Sequence, residues 1–376
     1  MSRSRQLVGL ATCLASVSAF TLAYTAAGPT AFAAAPASRA AHTAHTGAIG
    51  GKVAVDAQAI LTYWTPQRLA SAKDVDVQVT SAPATTAIRA VSTGKAGQVA
   101  GGLPSGAAAV STPVSQSPIP DAFGYPFPYT SFNVPTSDYK HYPWAVNGKI
   151  FFTNNGGNFV CSGTVVPSVN GSTNENEVWT AGHCLVNTEA NNQVVDSFFE
   201  FIPAYNGGAK KLSAQEPFGV FTWNGAWETT SAWYNNRDFS EDEAALQMNT
   251  NGSGQILGNR TGWAGFAWNQ STDQQFVAFG YPAASPYNGN LMVTDLGASA
   301  VLDTGIGGAG SAPIGIGNPM TGGSSGGAWF IGWSETGTGW VNGHNDYKYS
   351  SQPLAMYSPY QDSLSNTVRC FGAASC

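Results

Sequence analysis

The stretch Val178-Trp179-Thr180-Ala181-Gly182-His183-Cys184 sets a single histidine at the end of an apolar strand, beside a cysteine. Only three histidines follow residue 139: His141, His183 and His344. A lone histidine is usually a surface or packed residue. One pinned by a neighbouring cystine next to a tight turn can hold the fixed geometry that a general base needs. Outward from this string, short apolar runs alternate with Asn/Gly/Ser turns, at 149–152, 159–166, 198–202 and 275–281, then at 328–333, 339–342 and 353–357. Many short strands with turn signals between them predict an all-β sandwich or barrel. Helical periodicity is confined to a short helix expected near 359–368. The ten tryptophans after residue 139 read as core and loop packing rather than a carbohydrate platform.

A second string, Met320-Thr321-Gly322-Gly323-Ser324-Ser325-Gly326-Gly327-Ala328-Trp329, sets a serine among glycines. Small neighbours let the backbone turn tightly, expose the hydroxyl and aim the Gly323 and Ser325 N–H groups at one point. An oxyanion there gains about 3–4 kcal/mol from each such donor. In a chain this rich in Gly and Ser the string could also be a flexible turn. The third string is Asp238-Phe239-Ser240-Glu241-Asp242-Glu243-Ala244-Ala245-Leu246. A carboxylate that orients a histidine is best held at the mouth of a buried strand, which favours Asp242, with Asp238 as runner-up. Asp238, Glu241 and Glu243 are expected to be solvated loop charges.

Composition limits what such a site could serve. Charged residues are 10% of the 376, against roughly a quarter in ordinary domains. Residues 1–139 hold 8 basic and 5 acidic side chains, leaving 8 basic and 17 acidic for 140–376. An acidic body lacks the footprint that phosphate backbones demand, so nucleic acid is not an expected partner. Residues 1–33 read as a cleaved export signal, with Arg3 and Arg5, the apolar stretch 7–23 and an Ala31-Phe32-Ala33 cleavage site. No later apolar span of membrane length follows, so the expectation is a secreted, extracellular monomer without stable membrane association after signal cleavage. Residues 34 to about 120 are rich in Ala, Ser, Thr, Gly, Val and Pro, as flexible segments are. An island at 57–69 carries bulky residues, and reads equally as a short docking helix or as a hydrophobic cluster with no partner. Once Cys13 is lost with the signal, four cysteines remain: Cys161, Cys184, Cys370 and Cys376. Three pairings are open, and the closeness of Cys370 to Cys376 suits a small terminal loop. No Cys or His pair has zinc-like spacing, so no metal or other cofactor is expected.

Together the three strings resemble the chymotrypsin-like (trypsin-like) serine peptidases. The resemblance rests on Thr180 to Cys184, on Asp242 with Ala244-Ala245-Leu246, and on Gly323 to Gly327, and it covers roughly 140–376. The order His, Asp, Ser is that of chymotrypsin and not of subtilisin or the α/β-hydrolases. The leader, the linker and Tyr63-Trp64-Thr65-Pro66 are similar to those of secreted bacterial preproproteins. The resemblance implies two antiparallel six-stranded β-barrels, at about 140–252 and 253–376, with a short C-terminal helix. They would follow a signal peptide (1–33) and a largely disordered pro-region (34–139). It further implies a Cys161–Cys184 disulfide, Ser325 as nucleophile, His183 as base, Asp242 as its orienting acid, and Gly323 and Ser325 amides as the oxyanion hole. Protein or peptide substrates follow from it.

Two departures bear on activation and specificity. Animal trypsin-like enzymes carry an aspartate before the nucleophile that pairs with the freed N-terminal amine; here Ser324 stands there. Removal of the pro-region would then have to act otherwise, by uncovering the cleft. Where trypsin keeps an acid at the pocket floor the chain has Pro319, which withdraws the support for Arg/Lys preference. His344 resembles the histidine by which glutamyl endopeptidases bind an acidic side chain, or is a wall residue pointing elsewhere, and Asp346 nearby would oppose such a substrate. The rival readings are a catalytically silent homologue acting as a secreted binding protein, and an unrelated glycan-binding β protein.

Overall fold

The computed structural model describes residues 43–45, 47–75, 77–81, 84–87, 94–107, 124–168, 176–187, 194–306, 308–335, 337, 339–371 and 373. All belong to one compact unit, Ala37–Cys376. The signal sequence and Cys376, and with it the expected pairing of Cys370, lie outside the described residues.

Upstream of residue 140 the strands are short. They are β1 (Thr43–His45), β2 (Ala48–Lys52), β3 (Lys73–Asp74), β4 (Gln78–Val79), β5 (Thr85–Ala87), β6 (Gly97–Val99) and β7 (Tyr129–Asn133). Between β2 and β3 lie helices α1 (Ala57–Tyr63) and α2 (Pro66–Ser71). The expectation of a largely disordered 34–139 is corrected here, because the described parts of it are built into the sheets of the body. The island at 57–69 is what anchors them. Asp56 caps α1 by accepting from the Gln58 and Ala59 N–H groups, and Thr65 caps α2 with Pro66 at its first position, where a missing N–H costs nothing. These caps turn Ile60, Trp64 and Leu69 to the same side, and all three are buried. Trp64 Nε1–H donates to the Phe198 carbonyl at 2.6 Å, so the docking reading holds.

The first half of the body is a closed barrel. Its strands are β8 (Asn147–Asn154), β9 (Gly157–Val166), β10 (Glu177–Thr180), β13 (Ser197–Pro203), β14 (Phe221–Thr230) and β15 (Ala244–Met248), with a two-strand ribbon β11 (Val186–Asn187) and β12 (Val194–Val195) between. The ladder runs β14-β13-β8-β9-β10-β15 and returns to β14. Closure removes the unpaired strand edges that an open sheet exposes. Ile150, Phe151 and Phe152 of β8 are consecutive and all buried. Period-2 alternation would leave one in water, but both faces are covered: Phe152 stacks on Phe199, while the Trp64 ring lies 5.6 Å from that of Phe151.

The second half contributes β16 (Gly265–Trp268), β17 (Gln275–Gly280), β18 (Val293–Asp303), β19 (Ile314–Gly317), β20 (Ala328–Ile331), β21 (Trp340–His344), β22 (Lys348–Tyr349) and β23 (Ala355–Ser358). Its ladder runs β23-β19-β18-β17-β20-β21-β16-β6, with β5 and β7 also on β18. Past β21 the chain returns to β23 at an antiparallel bridge, Tyr347 opposite Tyr357, where Asp346 N–H donates to the Tyr357 carbonyl at 3.1 Å and Tyr357 N–H to the Tyr347 carbonyl at 3.0 Å, while β16 pairs with β21 in parallel. The two ends of the β23-to-β21 ladder thus meet at a single bridge rather than along a strand-length pairing, and the sheet as a whole is mixed. The C-terminal helix, Ser363–Arg369, is capped by Asp362 and sends Arg369 Nη1 to the Pro167 carbonyl at 2.7 Å. None of the ten tryptophans after residue 139 is exposed, as packing residues would be. Among the described residues no helix is long and apolar enough to cross a membrane.

Candidate active site

β10 ends at Thr180, and the chain turns at once through a single 3-10 turn, Gly182–Cys184. Cys184 is bonded to Cys161 of the neighbouring β9, which ties the turn to the barrel wall. Asp242 closes a second 3-10 turn, Phe239–Glu241, just before β15, the other neighbour of β10. The two turns therefore meet. The His183 backbone N–H donates to Asp242 Oδ1 at 2.7 Å, and its ring Nδ1 lies 2.9 Å from Oδ2. Both residues are buried, Asp242 wholly.

Asp238 takes a different part. It caps its own turn by accepting from Ser240 N–H and reaches across to accept from Ala309 N–H at 2.6 Å. Glu241 and Glu243 correct the expectation of solvated charges, since both are buried. Glu243 lies between β15 and the C-terminal helix, where Ser365 Oγ–H donates to it at 2.9 Å. Burial raises both carboxyls, Glu241 to about 8 and Glu243 well above the usual carboxylate range.

The serine loop is clamped by β9. Ser162 N–H donates to the Ser325 carbonyl at 2.7 Å and Ser162 Oγ–H to the Gly323 carbonyl at 2.9 Å. Both carbonyls are thereby held on the barrel side of the loop. Gly323 has φ +91° and Gly326 φ +78°, which only glycine adopts cheaply. At Gly326 a Cβ would also collide with Thr180 Oγ1. Among the described residues His183 Nε2 is buried without a hydrogen-bond partner, so the Asp–His link is made and the His–Ser link is open. In uncomplexed sites such links are commonly long and tighten on substrate binding.

Two groups around this centre were not assigned their places from sequence. Asp346 Oδ1 lies 3.2 Å from His183 Nδ1, so the imidazole faces two carboxyls. Burial pulls His183 down, but Asp242 and then Asp346 outweigh it and raise the ring to about 10. Asp346 is itself pushed well up by burial and by the Asp242 charge beside it. Ser162 is the other, and no local pattern marks it. The sequence signal for Asp346 was only its closeness to His344.

His344 is fully buried, with Nε2 3.0 Å from the Asp242 carbonyl oxygen and its ring against Trp179. Burial lowers it to about 4, so it is neutral and donates to that carbonyl. The small cavity beside Ser325 is walled by Val77, Thr321, Gly322, Ser324, Asp346, Lys348 and Met356. Neither Pro319 nor His344 is among them. Lys348 Nζ spends its protons on the Asn318 and Pro353 carbonyls, at 3.0 and 2.8 Å. Among the described residues two donor sets have metal-like spacing: Cys161 with His183 and Cys184, and His183 with Asp242 and Asp346. In the first the two sulfurs are spent on each other, and in the second Nδ1 is spent on the carboxyls.

Solved structures of bacterial serine proteases are among those that resemble the chain. A thermostable serine protease, AL20, from an extremophilic microorganism is 32% identical, with a TM-score of 0.52 over 64% of this chain and 100% of its own. The protease Anisep from Arthrobacter nicotinovorans is 37% identical, with a TM-score of 0.52 over 61% of this chain and 96% of its own. No protein-family model and no curated protein matches the sequence.

Proposed function

The chain belongs to the chymotrypsin-like serine proteases, and from that premise we propose that it is a secreted endopeptidase working through Ser325, His183 and Asp242. The observation that carries this reading is the junction of His183 with Asp242, both atoms of one carboxylate engaged, beside a serine loop whose carbonyls β9 holds. Ser325 Oγ attacks the scissile carbonyl as His183 Nε2 takes its proton, and the same imidazolium then protonates the leaving amine. Asp242 keeps the ring's Nδ1 protonated and stabilises the cation. The Gly323 and Ser325 amides receive the oxyanion, and water releases the acyl-enzyme. His344 acts at one remove, fixing the Asp242 backbone.

Residues 1–33 serve as the export signal in this reading and 34–139 as a pro-region, so the chain is made as an inactive precursor acting on protein or peptide substrates outside the cell. Labelling of purified, processed protein by a fluorophosphonate probe tests it. The label is expected on Ser325, lost in Ser325→Ala and reduced by at least about 10³-fold in His183→Ala. A folded, processed protein that takes no label belongs instead to the catalytically silent homologues.

A further inference from the structure

Residues 73–75 and 77–81 run between the two sheets and through the cleft. β3 pairs in parallel with β9, Lys73 opposite Phe159 and Asp74 opposite Val160. One residue on, the Val75 carbonyl accepts from Gly323 N–H at 3.4 Å, a donor of the proposed oxyanion hole. Val77 then walls the cavity beside Ser325. Its carbonyl accepts from Lys348 N–H at 3.2 Å, the Val79 carbonyl accepts from Ser350 N–H at 3.1 Å, and β4 lies parallel to β22. One segment thus engages both edges of the cleft, the oxyanion donor and the cavity.

Direction matters as much as position. The acyl half of a substrate, N-terminal to the scissile bond, stays with the cavity while the C-terminal half departs. A substrate therefore runs from the β22 edge, past Gly323, toward β9. This segment runs the other way, meeting β9 first and β22 last. β4 is parallel to β22, and β3 parallel to β9, which fixes this reversed direction at both edges.

We propose that residues 73–81 are a built-in inhibitory peptide, bound in the direction opposite to substrate and held by the elements before it. The proposal rests on the protease reading above. β2 pairs through five residues with β14, from Ala48 opposite Thr230 to Lys52 opposite Ala226. Trp64 seats on β13 through Phe198, and Tyr63 Oη–H donates to Asn158 at 2.7 Å. A cut downstream of Ser81 touches none of these contacts. The cut fragment therefore stays on the body as a ligand until it dissociates or is itself degraded.

Labelling rates separate the possibilities, because a probe reacts in proportion to the fraction of molecules with an open cleft. The unprocessed chain is expected to label at least about 100-fold more slowly than enzyme freed of residues 34–81. Val77→Asp sets a carboxylate against Asp346 and should speed labelling of the unprocessed chain about tenfold or more. Trp64→Ala, which loosens the anchor without touching the cleft, should do the same. Circular dichroism of each variant checks that the body remains folded. After a cut downstream of Ser81 the fragment should co-elute with the body on size exclusion, and mass spectrometry should find 73–81 intact. Equal labelling before and after processing overturns the inhibitory role, and cleavage within 73–81 overturns the reversed direction. If the freed enzyme takes no label at all, the protease reading fails first and this proposal with it.

Discussion

Strand β8 of the barrel buries seven of its eight residues, whereas β7, five residues long and upstream of residue 140, buries none. Both make ladder hydrogen bonds, β8 with β9 and β13, β7 with β18 alone. The barrel strands lie between two partners around a continuous core. The upstream strands sit on edges that would otherwise face water, and their hold comes from a few anchors such as Ile60, Trp64 and Leu69. Closure makes one region self-sufficient, and edge addition makes the other removable.

The largest blow to the contrast would come through the disulfide. Cys161 and Cys184 enclose a loop with a sequence separation of 23, for which the chain-entropy estimate is about 3 kcal/mol. Replacing both by serine should lower the urea stability of processed protein by about that much. It should leave a two-state transition, because the barrel closes without the bond. Loss of cooperative unfolding would show that the barrel depends on a staple as the upstream arm depends on its anchors.

A smaller effect sharpens the contrast at the cleft. A general base works in its unprotonated form, so kcat/KM rises with pH through the His183 titration, which Asp242 and Asp346 set at about 10 against the opposing effect of burial. Asp346→Asn removes one of the two raising carboxyls. The acid limb of the processed enzyme should therefore move to lower pH by about one unit, and the limb belongs to the coupled groups rather than to His183 alone. A limb that stays in place would mean that Asp346 carries its own proton throughout that range.

The smallest effect concerns Asp238, which caps the turn before Asp242 and accepts from Ala309 N–H. Asp238→Ala should cost about 1 kcal/mol of stability, typical of a lost cap, with kcat/KM changed less than twofold. A larger kinetic loss would place Asp238 in the control of Asp242.

The uneven legibility of these parts has physical causes. The short helix near the C-terminus and the caps of α1 and α2 are written in adjacent residues, and so is the end of β10 just before His183. Glu241 and Glu243 misled because a run of charges normally means solvent, while here the C-terminal helix, more than a hundred residues on, folds over Glu243, and the chain around Gly310 packs against Glu241. Asp346 and Ser162 carried no local mark, since what matters about each is a partner more than a hundred residues away. The stretch Asp74-Val75-Asp76-Val77-Gln78-Val79 alternates as a strand does, but the alternation does not say which edge it will meet, because its pairing is through backbone groups, which every residue shares.

By itself the sequence determined the mostly β character, the three strings that carry the proposed nucleophile, base and acid, and the composition break near residue 140, because these depend on residue type and short spacing. Only the tertiary structure decided that the first sheet closes along full ladders while the second meets itself at one bridge, that His183 faces two carboxyls, and that Val75 and Val77 lie beside the serine loop. Those outcomes depend on which strand edges meet and in which direction. Ladder hydrogen bonds are chemically identical at every residue, so register and polarity are settled by the packing of distant side chains.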